Sequence, residues 1–405
     1  MSLYVDIEKN FRDFSLRVKL TDASSSMGIL GASGSGKSMT LRCIAGIETP
    51  DKGKIIINGK TVFDSEKGIN EKPQKRKAGY LFQNYALFPT MTVEKNIGCG
   101  FRGKKGERDR KVAEYIRRYH LEGLEKRYPH QLSGGQQQRA ALARMMIGEP
   151  DVILLDEPFS ALDSYLKDVL QRDMKEFLKD YKGDMVLVTH SREEAFQFCR
   201  ELTLLKDGRI LVSGETKSIF DEPGSVEAAR LTGCKNITEI QRLDSHHIYA
   251  KDWKMTLRTE KEVLPCHTHA AVRGHWLVEE KCISSYINRE ENIFSVETVE
   301  EAETPFEEQY LIRRQGETEV SPIWLMRAKK GTDSHEKSVP CRVYFPPEKI
   351  NHASSVSFGI MNIIDDHHGK LKGKGVLKVS KIQTEFFLKL FKTVHQSISV
   401  YVKLP

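Results

Sequence analysis

Residues 31–38 read GASGSGKS, preceded by the apolar MGIL of Met27–Leu30 and followed by the helical pattern MTLRCIAGI of Met39–Ile47. A strand that feeds a glycine-rich turn and then a helix is the setting in which G-x-x-x-x-G-K-[ST] forms a Walker A phosphate loop. Gly31, Ala32, Ser33, Gly34, Ser35 and Gly36 offer backbone N–H groups that wrap a polyphosphate. Lys37 reaches its β- and γ-phosphates, and Ser38 offers its hydroxyl to Mg²⁺. Met39, at the helix start, belongs to the same nucleotide-binding set.

The second half of such a site lies in DVILLDEP, Asp151–Pro158. Val152–Leu155 read as a buried strand that delivers Asp156 and Glu157 at its carboxyl end, where open parallel sheets bind ligands. Asp156 suits Mg²⁺, directly or through water, because hard cations prefer oxygen. Glu157 is placed to polarise an attacking water. Three single residues gain meaning beside this pair. Gln83, after the strand GYLF, is a candidate for contact with the Mg²⁺ or the attacking water. His190, ending MVLVTH, carries a ring donor for the γ-phosphate. Phe11 is the candidate to stack on adenine, with Phe14 as its rival.

A further stretch, LSGGQ at Leu132–Gln136, opens the helical QQRAALARMMIG. Paired glycines and the unpaired N–H groups of a first helical turn suit a phosphate. Yet the stretch holds no lysine, and the chain already has a complete phosphate loop.

The remaining chain bounds the reading. Its 405 residues suffice for two domains and a third small one, and 63 basic against 56 acidic residues give a mild formal charge of +7. That balance alone does not call for nucleic acid. No apolar run approaches the roughly 20 residues of a membrane-spanning helix. The start, MSLYVDIEKNF, lacks the basic and apolar regions of a secretion signal, so a cytoplasmic protein is expected. Seven cysteines with no CxxC pair fit reduced thiols. SLRVKL, MGILGA, KIIING, AGYLFQ, DVILLDE, DMVLVTH and LTLLKDGRI are strand candidates between helical patterns, which predicts an α/β domain over residues 1–235 with a largely parallel sheet. Residues 87–148 read as a helical insertion, with Val112, Tyr115, Ile116, Tyr119 and Leu121 near one helix face. Residues 236–355 carry short strand patterns and predict a small all-β, barrel-like domain. Residues 356–405 form a basic extension of unassigned fold. Cys266, His267, His269 and His275 lie close together but lack zinc-like spacing, so an incidental cluster is expected. The basic run Arg102–Arg127 reads as a solvated helical face.

GASGSGKS, FQNYALFP, LSGGQQQR, VILLDEP, SALD and VTH, in this order, resemble the ATPase subunit of ATP-binding cassette (ABC) transporters. The resemblance implies a P-loop NTPase cassette with a helical subdomain, and the cofactors ATP and Mg²⁺. It places Gln83 in the Q-loop, Ser133, Gly134, Gly135 and Gln136 in the signature, Ser160–Asp163 in the D-loop and His190 in the switch. It also implies a head-to-tail homodimer, in which LSGGQ of one copy closes on ATP held by Gly31–Ser38 of the other. That accounts for the missing lysine. Two integral-membrane permease subunits, contacted around Tyr85–Pro89, and indirectly an extracytoplasmic solute-binding protein are the implied partners, at the cytoplasmic face of the membrane; no nucleic acid is. VFDSEKGI before GYLFQ is similar to molybdate importer ATPases, and the β-rich tail to the TOBE/molybdate-binding type. Molybdate is therefore the expected cargo, with sulfate or thiosulfate as the alternative. A soluble cassette ATPase acting on nucleic acid or the ribosome is the distant rival; it would need a coiled-coil insertion or a second cassette.

Overall fold

The computed structural model describes residues 3–21, 25–160, 164–279, 291–329 and 340–354. The expectations for Ala161–Asp163 of the D-loop and for the 356–405 extension lie outside the described residues. The chain divides into two compact units, Met1–Cys234 and Lys235–Pro405.

The first unit is built on one eleven-stranded sheet. Its strands are β1 (Leu3–Asn10), β2 (Ser15–Thr21), β3 (Ser26–Leu30), β4 (Lys52–Ile57), β5 (Lys60–Asp64), β6 (Ile69–Asn70), β7 (Ala78–Leu81), β8 (Val152–Asp156), β9 (Asp184–Thr189), β10 (Glu201–Lys206) and β11 (Arg209–Glu215). They lie in the order β6-β5-β4-β1-β2-β11-β10-β3-β9-β8-β7. Only β10, β3, β9, β8 and β7 form a continuous parallel run. The largely parallel sheet expected from the sequence is thus half of the sheet; β1, β2, β4, β5 and β6 pair antiparallel, as do β10 and β11.

Two tight hairpin turns account for two of these antiparallel pairings, β4 with β5 and β10 with β11. Asn58 and Gly59 (φ 48° and 74°) reverse the chain between β4 and β5, and Asp207 and Gly208 (φ 48° and 74°) do so between β10 and β11. Positive φ at both central residues is the type I′ geometry whose twist matches paired strands, and Asn-Gly or Asp-Gly is its usual sequence. LTLLKDGRI is therefore a hairpin, not one strand.

β8 shows why the middle of the sheet reads as an unbroken apolar run. All five of its residues are buried; Val152 and Leu154 join one core cluster, Ile153 and Leu155 the other. Side chains alternate across a strand, so a strand covered on both faces has no polar side. One cluster packs α1 (Lys37–Ala45) against the sheet. The other joins it to α2 (Val93–Gly98), α3 (Lys105–Arg118), α4 (Gly134–Met146) and α5 (Ser164–Leu178). Within 87–148, Val112, Ile116, Tyr119 and Leu121 are buried in that second core and Tyr115 packs at its margin. Three short helices follow: α6 (Arg192–Phe198), α7 (Thr216–Asp221) and α8 (Val226–Leu231).

The second unit is all β among its described residues apart from short helical turns. β12 (Asn236–Arg242), β13 (His247–Ala250), β14 (Met255–Arg258), β15 (His269–Val272) and β21 (Asn351–Ala353) form one five-stranded sheet in the order β14-β13-β12-β15-β21. β16 (Val278–Glu279), β17 (Ile293–Glu303), β18 (Glu307–Arg314), β19 (Ile323–Ala328) and β20 (Arg342–Tyr344) form the other, in the order β16-β20-β17-β18-β19. A common core of residues such as Ile248, Trp253, Val272, Tyr310, Leu325 and Phe345 joins them. Asn236 adds a polar clamp, donating to Trp324 O and accepting from Trp324 N, each at 2.7 Å.

Candidate active site

The loop 31–36 leaves β3 and enters α1. Its tightness comes from two glycines. A Cβ on Gly31 would lie 2.2 Å from Leu205 O, and Gly36, at φ 102°, would place one 2.7 Å from a Leu16 methyl. Gly34 (φ 78°) has nothing within 4 Å on that side, which leaves an open backbone surface in the middle of the loop. Lys37 folds over it, Nζ donating to Gly31 O and Ala32 O at 2.9 Å each. Burial lowers the Lys37 pKa, opposed by the nearby carboxylates of Glu157 and Asp156. Ser35 Oγ is buried without a hydrogen-bond partner. Met39 packs its side chain against the core, so only its first-turn N–H belongs to the loop surface.

Ser38 Oγ donates to Asp156 Oδ1 at 2.7 Å, and Tyr80 OH donates to Asp156 Oδ2 at 2.8 Å. Burial, with Asp156 second, holds the Tyr80 phenol far above its ordinary pKa, so it remains a donor. Glu157 takes a left-handed φ of 47°, fixed by its N–H donating to Val188 O at 3.0 Å. A non-glycine residue held there is strained by about 1–3 kcal/mol and persists where its surroundings over-determine it. The turn aims the carboxylate at two cations or donors: Oε1 is 3.8 Å from Lys37 Nζ and Oε2 is 3.3 Å from His190 Nδ1. Gln83 Nε2 donates to Ser160 Oγ at 3.1 Å, and Ser160 Oγ in turn donates to Glu157 O at 3.0 Å. The ends of β3, β7, β8 and β9 thus gather Lys37, Ser38, Gln83, Asp156, Glu157 and His190.

Other candidates lie apart from that gathering. Phe11 is 40% exposed in the turn between β1 and β2, its ring 6.1 Å from Phe14. Phe14 is the aromatic beside the loop, its ring edge 3.0 Å from a Cβ built on Gly36. Ser133 caps α4, and its hydrogen bonds are local: Gln136 N donates to Ser133 Oγ at 3.3 Å, and Ser133 N to Gln136 Oε1 at 3.0 Å. This capping box opens a 13-residue helix whose first turn holds the half-buried Gly134 and the buried Gly135.

The Tyr85–Pro89 stretch is not wholly a surface. Tyr85 is buried, while Ala86, Phe88 and Pro89 are exposed. Tyr85 and Ala86 are both left-handed (φ 60° and 44°), and their carbonyls accept from Arg144 of α4 at 2.9 and 2.8 Å. Asn96 closes the other side, accepting from Phe88 N and donating to the carbonyls of Phe88, Met91 and Thr92. Sequence reasoning missed Arg144, Asn96 and Tyr80. Each is an ordinary helix or strand position by pattern, with no local signal of its partner.

In the second unit the Cys266–His275 cluster disperses. His267 accepts from Leu264 N, His269 Nδ1 pairs with Thr268 Oγ1, and His275 stacks edge-on with Trp276. Among the described residues no group of three or more His, Cys, Asp or Glu is placed to hold a metal ion, and the described cysteines are free thiols.

A phosphate loop, an acid pair at a strand end and a capped second helix start define a P-loop nucleotide-binding domain of the cassette type. A protein-family profile described as "ABC transporter" matches residues 13–160. The spermidine/putrescine import ATP-binding protein PotA of Oleidesulfovibrio alaskensis is 42% identical over 214 residues, 52% of this chain and 56% of that protein. The molybdate/tungstate import ATP-binding protein WtpC of Pyrococcus horikoshii is 40% identical over 58% of this chain and 67% of its own length. The probable sulfate/thiosulfate import ATP-binding protein CysA of Chlorella vulgaris is 39% identical over 58% of this chain and 100% of its own. The chain belongs to the ATP-binding protein family of ABC transporters. It spans little more than half the length of the polyamine-type relative, and the matched share is about the size of the first unit. No helix among the described residues is long and apolar enough to cross a membrane.

Proposed function

We propose that this chain is the ATP-hydrolysing subunit of an importer, acting as a head-to-tail homodimer on two integral-membrane permease subunits at the cytoplasmic face of the membrane. An extracytoplasmic binding protein would deliver the solute to those subunits. The observation that carries the reading is the convergence of Lys37, Ser38, Asp156, Glu157 and His190 at the carboxyl ends of parallel strands.

Lys37 turns its ammonium onto the β- and γ-phosphates, whose charge compensates its burial. Ser38 and Asp156 bring hard oxygen donors within 2.7 Å of each other, and Gln83 reaches the same strand ends through Ser160. That donor set fits Mg²⁺, which when bound neutralises phosphate charge. Glu157 accepts the proton of the attacking water, its carboxylate oriented by the left-handed backbone and by His190. His190, with Nδ1 toward Glu157, directs Nε2 to the γ-phosphate. Ser133 and the Gly134 and Gly135 N–H groups of a second copy complete the shell, helped by the positive end of α4. Phe11 or Phe14 stacks on the base. ATP thereby favours the closed dimer and hydrolysis releases it.

Ala86, Phe88 and Pro89 supply the exposed part of the permease contact. For cargo we read an oxyanion, molybdate first and sulfate or thiosulfate next. The VFDSEKGI segment and two of the three relatives support this, while the polyamine relative marks the wider range of the family. The second unit serves as a TOBE-like regulatory domain.

Glu157→Gln tests the chemistry. Removing the general base is expected to slow hydrolysis by about 10²–10⁴-fold, retain ATP binding, and trap an ATP-dependent dimer on size-exclusion chromatography with light scattering. Undiminished turnover removes Glu157 from the base role. For cargo, the importer reconstituted with its permease should raise ATP turnover with molybdate-loaded binding protein and not with a sulfate-loaded one.

A further inference from the structure

Tyr80 is part of no motif, yet it is one of two side chains holding Asp156. It lies on β7, paired in register with Leu154 of β8, two residues before the aspartate. From there the half-buried ring reaches along the strand, packs 4.3 Å from the Phe82 ring, and donates its hydroxyl to Asp156 Oδ2 at 2.8 Å. Ser38 donates to the other oxygen, Oδ1, at 2.7 Å. The positive charge of Arg42 on α1 lies near enough to the phenol to oppose, in small part, the rise in its pKa. Asp156 itself is only 5% exposed.

A carboxylate in that position has one torsion left to define. With both oxygens committed to donors on opposite sides, its plane is set and Oδ1 stays on the Ser38 side. We propose that Tyr80 is a positioning residue for the Mg²⁺ site, holding Asp156 so that its carboxylate and the Ser38 hydroxyl face one metal position. The inference rests on the nucleotide reading above. Tyr80 touches neither nucleotide nor metal; it acts through Asp156.

Without the phenol, Oδ2 is a buried acceptor with one donor fewer, and the carboxylate is free to turn away from Ser38. Metal binding then has to order the ligand as well. Loss of an outer partner of a metal ligand typically lowers metal affinity by about 10–100-fold. The phenol bonds Asp156 and not the phosphate loop, so binding of metal-free nucleotide is untouched.

Tyr80→Phe keeps the ring and its contact with Phe82 while removing the oxygen. The measurement is binding of a fluorescent ATP analogue to the full chain, first in EDTA and then with Mg²⁺ titrated at fixed nucleotide; Mn²⁺ followed by electron paramagnetic resonance reports the metal directly. The expected result is a half-saturating Mg²⁺ concentration raised about 10-fold, with affinity in EDTA unchanged. Tyr80→Leu should show the same shift. In an Asp156→Asn background, Tyr80→Phe should add nothing, because the pair acts as one unit. An unchanged Mg²⁺ requirement overturns the proposal, as does an equal loss with and without metal, which marks a merely structural role. Absence of Mg²⁺-dependent ATP binding in the unaltered chain overturns the nucleotide reading, and this inference with it.

Discussion

Replacing Arg144 by Met should loosen the link between the signature helix and the segment that follows the Q-loop. Arg144 leaves α4, is half-buried, and spends two guanidinium N–H groups on the carbonyls of Tyr85 and Ala86, at 2.9 and 2.8 Å. It also lies 5.4 Å over the exposed Phe88 ring. Burial lowers its pKa, yet a guanidinium stays charged at neutral pH. Hydrogen bonds to a charged group contribute about 1.5–3 kcal/mol each. Methionine preserves the packing of the stem but none of the donors, and it leaves two left-handed, non-glycine residues without the contact that holds them. Allowing for water reaching the half-open carbonyls, the loss should be roughly 3 kcal/mol. For a unit of this size that corresponds to about 6–12 °C in the thermal midpoint. Differential scanning calorimetry and urea unfolding measure it, and limited proteolysis should find a new cut near residues 85–90. Arg144→Lys, with one flexible ammonium, should recover only part. A midpoint for Arg144→Met within about 1 °C of the unaltered chain, with no new cleavage, would refute the clamp.

Two further outcomes are expected. Ser133→Arg removes the Ser133–Gln136 cap and puts a large cation where a second copy must approach; ATP binding by the single subunit should persist while the ATP-dependent dimer disappears, and an intact dimer on light scattering would sink the trans-binding reading. In the second unit, His352 has a buried Nε2 without a partner and a pKa lowered to about 4, first by burial and then by His267 and Lys261. Its protonation is disfavoured in the folded state but not in the unfolded chain, so stability should be full above about pH 6.5 and fall progressively toward pH 4. Discounting for partial exposure of the ring, the loss is on the order of 2 kcal/mol. His352→Gln should flatten that part of the pH profile, read by urea midpoints between pH 4 and 7.

Much of the site was legible because its residues sit at fixed spacing on local structure. GASGSGKS needs only a strand before it and a helix after it, and VILLDE needs only a strand buried on both faces. The two halves are 118 residues apart between Ser38 and Asp156, yet each announces itself. The antiparallel half of the sheet was less legible: β1 alternates buried and half-buried residues without a motif, and two hairpins hid in IINGKTVF and LLKDGRI until their left-handed turns were seen. Tyr80, Asn96 and Arg144 were illegible for another reason. Tyr80 and Arg144 meet a carboxylate and carbonyls 58–76 residues away, and Asn96 bonds the irregular segment just before its own helix, so no local period marks any of the three.

By itself, then, the chain's order of residues determined the chemistry on offer: which oxygens suit a metal, which glycines admit a phosphate, and which helix starts with unpaired N–H groups. These are properties of a few neighbouring residues, set by backbone geometry and side-chain type. The tertiary structure decided which of them meet. It turned Glu157 between Lys37 and His190, placed Tyr80 on Asp156, and buried Tyr85 instead of leaving it on the surface. Those outcomes depend on strand order and packing across the sheet, where long-range burial outweighs any local preference.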